Sequence, residues 1–215
     1  MEASELFHIT RPSSLPENAP LLIMLHGYGS DENDLFSFAS ELPEEFFIIS
    51  VRAPYVLQPY GHAWYAIHFD APQGKWNDNE QAIESREKIS AFIDWACEQY
   101  PVDTTNVTLL GFSQGTILSL ATALTYPEKI KNVIALSGYV SSEMFEVQPK
   151  ENYEHLAIYA SHGSVDQVIP VDWARKTKPF LDDLNIENVY EEYPVGHGVA
   201  PQNFYSFKEW LVSRT

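Results

Sequence analysis

The sequence holds one cysteine, Cys97, few basic residues and no long apolar run. A lone cysteine cannot form an internal disulfide, so the fold must stand without one. Lysine and arginine number 13 against 30 aspartates and glutamates, a formal net charge of −17. A chain so acidic repels phosphate backbones and anionic membrane faces, which argues against nucleic-acid binding. No apolar stretch approaches the roughly 20 residues that span a bilayer, so stable membrane insertion is not expected. No basic segment followed by an apolar run opens the chain, so no signal peptide is expected. There is no His-Glu-x-x-His, and the seven histidines are scattered, which argues against a metal site. What remains is ample core material: 45% of the 215 residues are hydrophobic and 13% aromatic. That composition suits a single domain over residues 1–215.

Short apolar runs alternate with longer helical patterns. Leu21–Leu25, Phe46–Val51, Val107–Leu110, Val133–Leu136 and Leu156–Tyr159 read as strands buried on both faces, because their apolar character is continuous rather than alternating. Glu5–Ile9 and Val189–Tyr193 are weaker candidates, expected nearer the sheet edges. Apolar residues at helical spacing predict a helix over Asn79–Tyr100, stopped by Pro101. Further helices are expected over Gln114–Tyr126, over Asp172–Leu184 with a kink or break at Pro179, and after Pro201. Strand–helix alternation of this kind predicts an open, mainly parallel α/β sheet flanked by helices. The connection Arg52–Asp78 is too long for an ordinary loop and rich in aromatics, and connections of this length are usually functional or mobile.

Gly111-Phe112-Ser113-Gln114-Gly115 fits G-x-S-x-G and falls between an expected strand and an expected helix. That context is what a nucleophile elbow needs: a strained turn lifts the serine hydroxyl above the sheet, and small neighbours let strand and helix pass closely. A serine needs a base to take its proton, and the base needs an acid to orient it. In this arrangement the acid follows the nucleophile and the histidine follows the acid. The loop after Leu156–Tyr159 carries Asp166, and of the seven histidines only His197 comes later. Asp172, Asp182 and Asp183 are rival acids, but they fall on an expected helix. An oxyanion needs donors. The backbone N–H of Gln114 is one candidate. The glycine turn His26-Gly27-Tyr28-Gly29 offers the Tyr28 N–H as another, with His26 read as a scaffold residue rather than a reactive one.

These motifs resemble the phospholipase/carboxylesterase family of small serine hydrolases, which includes acyl-protein thioesterases and bacterial carboxylesterases. Four segments carry the resemblance in order: Leu25–Gly29, Gly111–Gly115, His162-Gly163 with Asp166 and Val168-Ile169-Pro170, and Gly196-His197-Gly198. The resemblance implies an α/β-hydrolase fold with little or no cap, acting without metal or organic cofactor. The family's triad falls on Ser113, Asp166 and His197, and its oxyanion donors on Tyr28 and Gln114. Two positions depart from the thioesterase branch: Ser30 precedes Asp31 where an aspartate usually follows the turn at once, and Tyr28 stands where leucine is common. Ser30–Leu35 looks more like the bacterial esterase branch, which weighs against protein depalmitoylation.

The expected activity is that of a serine carboxylesterase on short- to medium-chain esters. A thioesterase or lysophospholipase with the same triad is the alternative, and an inactive hydrolase-fold binding module a more distant one. Trp64, Tyr65 and Tyr60 are expected to bind substrate, with Tyr28, Val56, Leu57 and Phe69 as further apolar walls or a flap over Ser113. The expected partner is a small-molecule ester, and the expected form a cytoplasmic monomer or homodimer.

Overall fold

The computed structural model describes residues 5–70 and 74–214. Its centre is a seven-stranded sheet built from β1 (His8–Arg11), β2 (Ala19–Leu25), β3 (Phe47–Val51), β8 (Val102–Phe112), β9 (Asn132–Leu136), β10 (Ala157–Gly163) and β11 (Glu187–Tyr193). Two small hairpins, β4 (Tyr55–Val56) with β5 (His62–Ala63) and β6 (Ile67–Asp70) with β7 (Gly74–Asn77), occupy the long connection after β3. The spatial order is β1-β3-β2-β8-β9-β10-β11. Within this sheet only β1 runs antiparallel; its other pairs are parallel. Parallel neighbours require crossovers, and helices supply them.

The helices are α1 (Asn33–Phe36), α2 (Asn79–Gln99), α3 (Gln114–Thr125), α4 (Val171–Ala174), α5 (Thr177–Asp183) and α6 (Pro201–Val212). Strand residues alternate between two buried layers. Leu21, Ile23 and Leu25 of β2 join a cluster with Ile89 of α2 and Ile117 of α3. Leu22 and Met24 face the other way, toward Leu35 of α1 and Phe207 of α6. Both faces of β2 are therefore covered, which is why its sequence is apolar without alternation. Helix α3 is buried along residues 114–124, in keeping with its Leu- and Ala-rich sequence. Among the described residues no helix is long and apolar enough to cross a membrane.

Several elements differ from expectation. Strand β10 runs to Gly163, past the expected end at Tyr159, so Ser161-His162-Gly163 is strand rather than loop, and β11 starts at Glu187 rather than Val189. Strand β8 begins five residues before its apolar core, at Val102, because its first half is partly exposed and pairs through a bulge with β2. Strand β1 lies at His8–Arg11 rather than Glu5–Ile9, with all four residues half-buried at the edge. The helix expected over Asp172–Leu184 is two helices, and the break precedes Pro179. A proline ring clashes with the carbonyl four residues earlier, here that of Arg175, so continuity is lost one turn upstream. Pro179 itself sits in the first turn of α5, where a missing N–H costs nothing.

Candidate active site

Parallel strands deliver their C-terminal ends to one edge of the sheet, and the candidate residues gather there. Ser113 follows β8 and precedes α3 with φ 54° and ψ −115°, a left-handed backbone rare for a side-chain-bearing residue. The turn holds because its neighbours leave no alternative. Its N–H donates to the Leu136 carbonyl at 3.0 Å, and its own carbonyl accepts from Ile117 at 3.1 Å. A Cβ on Gly115 would lie 1.8 Å from the Leu25 carbonyl oxygen, and one on Gly111 would lie 2.4 Å from that of Gly115. Only glycine permits strand and helix to pass so closely.

The three residues expected to act together are in hydrogen-bond reach. His197 Nε2 stands 3.0 Å from Ser113 Oγ. His197 Nδ1 stands 2.6 Å from Asp166 Oδ2. Asp166 Oδ1 accepts from the N–H groups of Val168 at 2.7 Å and Ile169 at 3.0 Å. Burial works to raise the Asp166 carboxyl, but the hydrogen bonds from His197, Ile169 and Val168 outweigh it and hold the group below the ordinary carboxylate range. The carboxylate therefore stays charged beside the imidazole and fixes its Nδ1–H tautomer. Phe112 packs against the His197 ring with centroids 5.0 Å apart. The rival acids lie on α4 and α5, as expected, and none of them joins this cluster.

The glycine turn after β2 abuts the elbow. A Cβ on Gly27 would be 3.3 Å from Ser113 Cβ, so the chain at Gly27–Tyr28 lies directly against the serine. Leu25 pairs with Gly111 in the β2–β8 register, which brings the two turns side by side. His26 is fully buried, its Nδ1–H donating to the Gly27 carbonyl at 2.7 Å and its Nε2 accepting from Ala53 N–H at 3.0 Å. Burial pushes its basicity down. His26 braces the turn as an uncharged ring.

A cleft of about 300 Å³ opens over Ser113. Tyr28, Tyr65, Ile117, Val168 and Ile169 give it an apolar lining, and Tyr139 and Trp173, paired edge-to-face at 5.2 Å, form one wall. Tyr28 and Tyr65 thus border the cleft, Tyr28 exposed and Tyr65 buried. Burial pushes the Tyr65 phenol far above its ordinary value, so it meets the cleft uncharged.

Two other aromatics do not reach it. Trp64 is fully buried: its indole N–H donates to the His26 carbonyl at 2.8 Å and its backbone N–H to Gln114 Oε1 at 3.1 Å. Tyr60 is 80% exposed at the turn joining β4 and β5, and Val56 on the same hairpin is also exposed. Neither Val56 nor Leu57 lines the cleft. The side chain of Phe69 lies outside those described.

Some contributors had no clear signal in the sequence. Tyr139 and Trp173 carry no motif, and only the fold brings them to the cleft. Ile117 sits one helical turn beyond Ser113, a spacing that could have flagged it. The Gln114 side chain grips the segment after β5: its Oε1 accepts from Trp64 and its Nε2 donates to the Tyr65 carbonyl at 2.9 Å.

Comparison with known proteins adds a decisive match. The family model described as Phospholipase/Carboxylesterase matches residues 7–213. The chain belongs to the phospholipase/carboxylesterase family. Its fold is the α/β-hydrolase fold, with a mostly parallel sheet between helices. Among curated relatives, carboxylesterase SOBER1 of Arabidopsis thaliana is 27% identical over 154 residues, 68% of this chain and 67% of that protein. A probable carboxylesterase of Oryza sativa subsp. japonica is 27% identical over 154 residues, 69% of this chain and 57% of that protein. Acyl-protein thioesterase 1 of Saccharomyces cerevisiae is 31% identical over 140 residues, 64% of this chain and 60% of that protein. The chain thus matches less than two thirds of the length of two of these three relatives. Among solved structures, esterase PE8 superposes with a TM-score of 0.79 at 25% identity, covering 98% of this chain and 99% of that one. The Bacillus cereus carboxylesterase gives a TM-score of 0.83 at 20% identity, covering 99% of this chain and 96% of that one.

Proposed function

We propose that the protein is a serine carboxylesterase that cleaves short- to medium-chain esters through an acyl-enzyme on Ser113. The observation that carries this reading is the hydrogen-bonded run from Ser113 through His197 to Asp166 at the floor of an apolar cleft. His197 Nε2 takes the Ser113 proton as Oγ attacks the ester carbonyl. The imidazolium so formed is stabilised by the Asp166 carboxylate. The tetrahedral oxyanion is held by the backbone N–H groups of Gln114, the first residue of α3, and Tyr28. The helix N-terminus adds its positive dipole end to that site. Collapse of this intermediate breaks the bond to the alcohol, which leaves with the proton from His197. Water, deprotonated by the same imidazole, then releases the acid and restores Ser113.

The cleft's modest size and the absence of a cap domain in the described residues suit small and medium acyl groups. A thioesterase reading uses the same residues. It is favoured by one observation: relatives in this family bear the name acyl-protein thioesterase 1.

The test is hydrolysis of p-nitrophenyl esters from acetyl to dodecanoyl, with a palmitoyl thioester alongside, by wild type and Ser113→Ala. The expected result is esterase activity with a short- or medium-chain optimum, reduced roughly 10⁴- to 10⁶-fold in kcat by the substitution. A strong thioester preference would move the assignment to the thioesterase. Undiminished activity in Ser113→Ala would remove Ser113 from the chemistry.

A further inference from the structure

Asp166 is approached by a second histidine. His162, the penultimate residue of β10, is fully buried, and its Nε2 lies 3.3 Å from Asp166 Oδ2 and 2.9 Å from the Ile169 carbonyl oxygen. A carbonyl can only accept, so the His162 Nε2 must carry the proton. Its Nδ1 is buried without a hydrogen-bond partner among the described residues. A bare ring nitrogen there is tolerable, whereas a second N–H would be an orphaned buried donor on a charged ring. The pocket therefore fits the neutral Nε2–H tautomer. Three N–H groups hydrogen-bond the buried carboxylate, Val168 and Ile169 at Oδ1 and His197 at Oδ2, and the His162 Nε2–H, donated to the Ile169 carbonyl, lies beside Oδ2 with its nitrogen 3.3 Å away.

We infer that His162 is a positioning residue for the proposed triad: its Nε2–H disperses the Asp166 charge and fixes the Asp166–Ile169 turn, setting how tightly Asp166 holds the protonated His197. This inference rests on the reading of Ser113, His197 and Asp166 as a catalytic relay. Two effects follow from the geometry. The Ile169 carbonyl is tied to His162 while the Ile169 N–H is tied to Asp166, so the turn is pinned from both sides. The His162 dipole also shares Oδ2 with His197, so without it the carboxylate would pull harder on the imidazolium. Two further carboxylates and one guanidinium stand near this cluster. Glu192 on β11 is the register partner of His162, but its carboxylate is gripped by Arg175 at 2.7 and 2.8 Å, and Arg175 also pairs with Asp172 of α4. Ser113, 3.0 Å from His197 Nε2, carries no charge.

The experiment compares wild type, His162→Leu and His162→Gln on p-nitrophenyl butyrate across pH. Glutamine can place an N–H near the Nε2 position, whereas leucine cannot. The expected result for His162→Leu is a fall in kcat of roughly tenfold to a hundredfold. With it, the acidic limb of kcat/KM moves to higher pH by up to about one unit. His162→Gln should keep the limb near its wild-type position and recover most of kcat. Should His162→Leu fail to fold, His162→Asn replaces it, since its amide reaches only the Nδ1 side. Equal losses in both variants with an unmoved limb would reduce His162 to packing and overturn the inference. So would wild-type behaviour in His162→Leu. The proton between His197 and Asp166, read as a downfield NMR resonance, gives a second answer without turnover. It should shift in His162→Leu and stay near its wild-type position in His162→Gln, and an unshifted resonance in His162→Leu would overturn the inference. Wild type that hydrolyses no ester yet shows this shift would refute the esterase reading and leave the positioning role standing.

Discussion

The turns at the strand ends and the long connection over residues 52–78 both face the cleft, yet they are built on opposite principles. At the elbow the backbone dictates the sequence: Gly115 lies against the Leu25 carbonyl and Gly111 against Gly115, so no other residue fits. In the connection the fold dictates the role of each side chain. Trp64 and Tyr65 are adjacent, aromatic and both buried, yet Trp64 packs beneath the turn at His26 while Tyr65 borders the cleft. Tyr60, four residues before Trp64, stands in solvent. Steric necessity leaves a motif, whereas burial decided by distant partners does not.

Substitutions can sharpen this contrast. The largest expected effect on stability is at Trp64. Trp64→Ala removes a fully buried indole bonded to the His26 carbonyl and should cost about 3–5 kcal/mol in urea denaturation. A loss below about 1 kcal/mol would contradict this reading of the buried indole as a packing residue. Next, Gly115→Ala should destabilise by about 3 kcal/mol, because the added methyl overlaps the Leu25 carbonyl and the elbow must open. Activity should fall with it, and a neutral substitution would refute the close-approach argument.

A smaller effect concerns pH. His26 is harder to protonate in the folded protein than in the unfolded chain, chiefly through burial. The unfolded chain therefore takes up more protons as pH falls below the ordinary histidine value of 6.5. The stability contribution is fully present above that pH and is lost below it, at up to about 1.4 kcal/mol per unit. Denaturation midpoints measured between pH 7.5 and 5 should fall more steeply for wild type than for His26→Gln. Smallest of all, Tyr60→Ala should change stability by no more than about 0.5 kcal/mol and leave the chain-length optimum unmoved. A shifted optimum would bring the β4–β5 hairpin into the site.

Most of the fold was legible because doubly buried strands write continuous apolar runs, as in β2, β3, β9 and β10. The edges were less so. Strand β1 is half-buried throughout and signals weakly, and the exposed start of β8 carries no apolar pattern. In the site, strand-end order singled out Ser113, Asp166 and His197, and the structure sets His197 2.6 Å from Asp166 and 3.0 Å from Ser113. Trp173 and Tyr139 were not readable, since their place on the cleft wall depends on how α4 and the loop after β9 pack together. The role of the Gln114 side chain was not readable either, since its amide clamps Trp64 and Tyr65, some 50 residues earlier in the chain.

The central claim is that Ser113 forms a covalent acyl intermediate, and trapping that intermediate tests it most directly. Wild type and Ser113→Ala are mixed with p-nitrophenyl butyrate, quenched in acid and mapped by peptide mass spectrometry. The account predicts a single butyryl group on the peptide containing Ser113 in wild type and none in Ser113→Ala. An acyl group on another residue, or rapid turnover by Ser113→Ala, would contradict it.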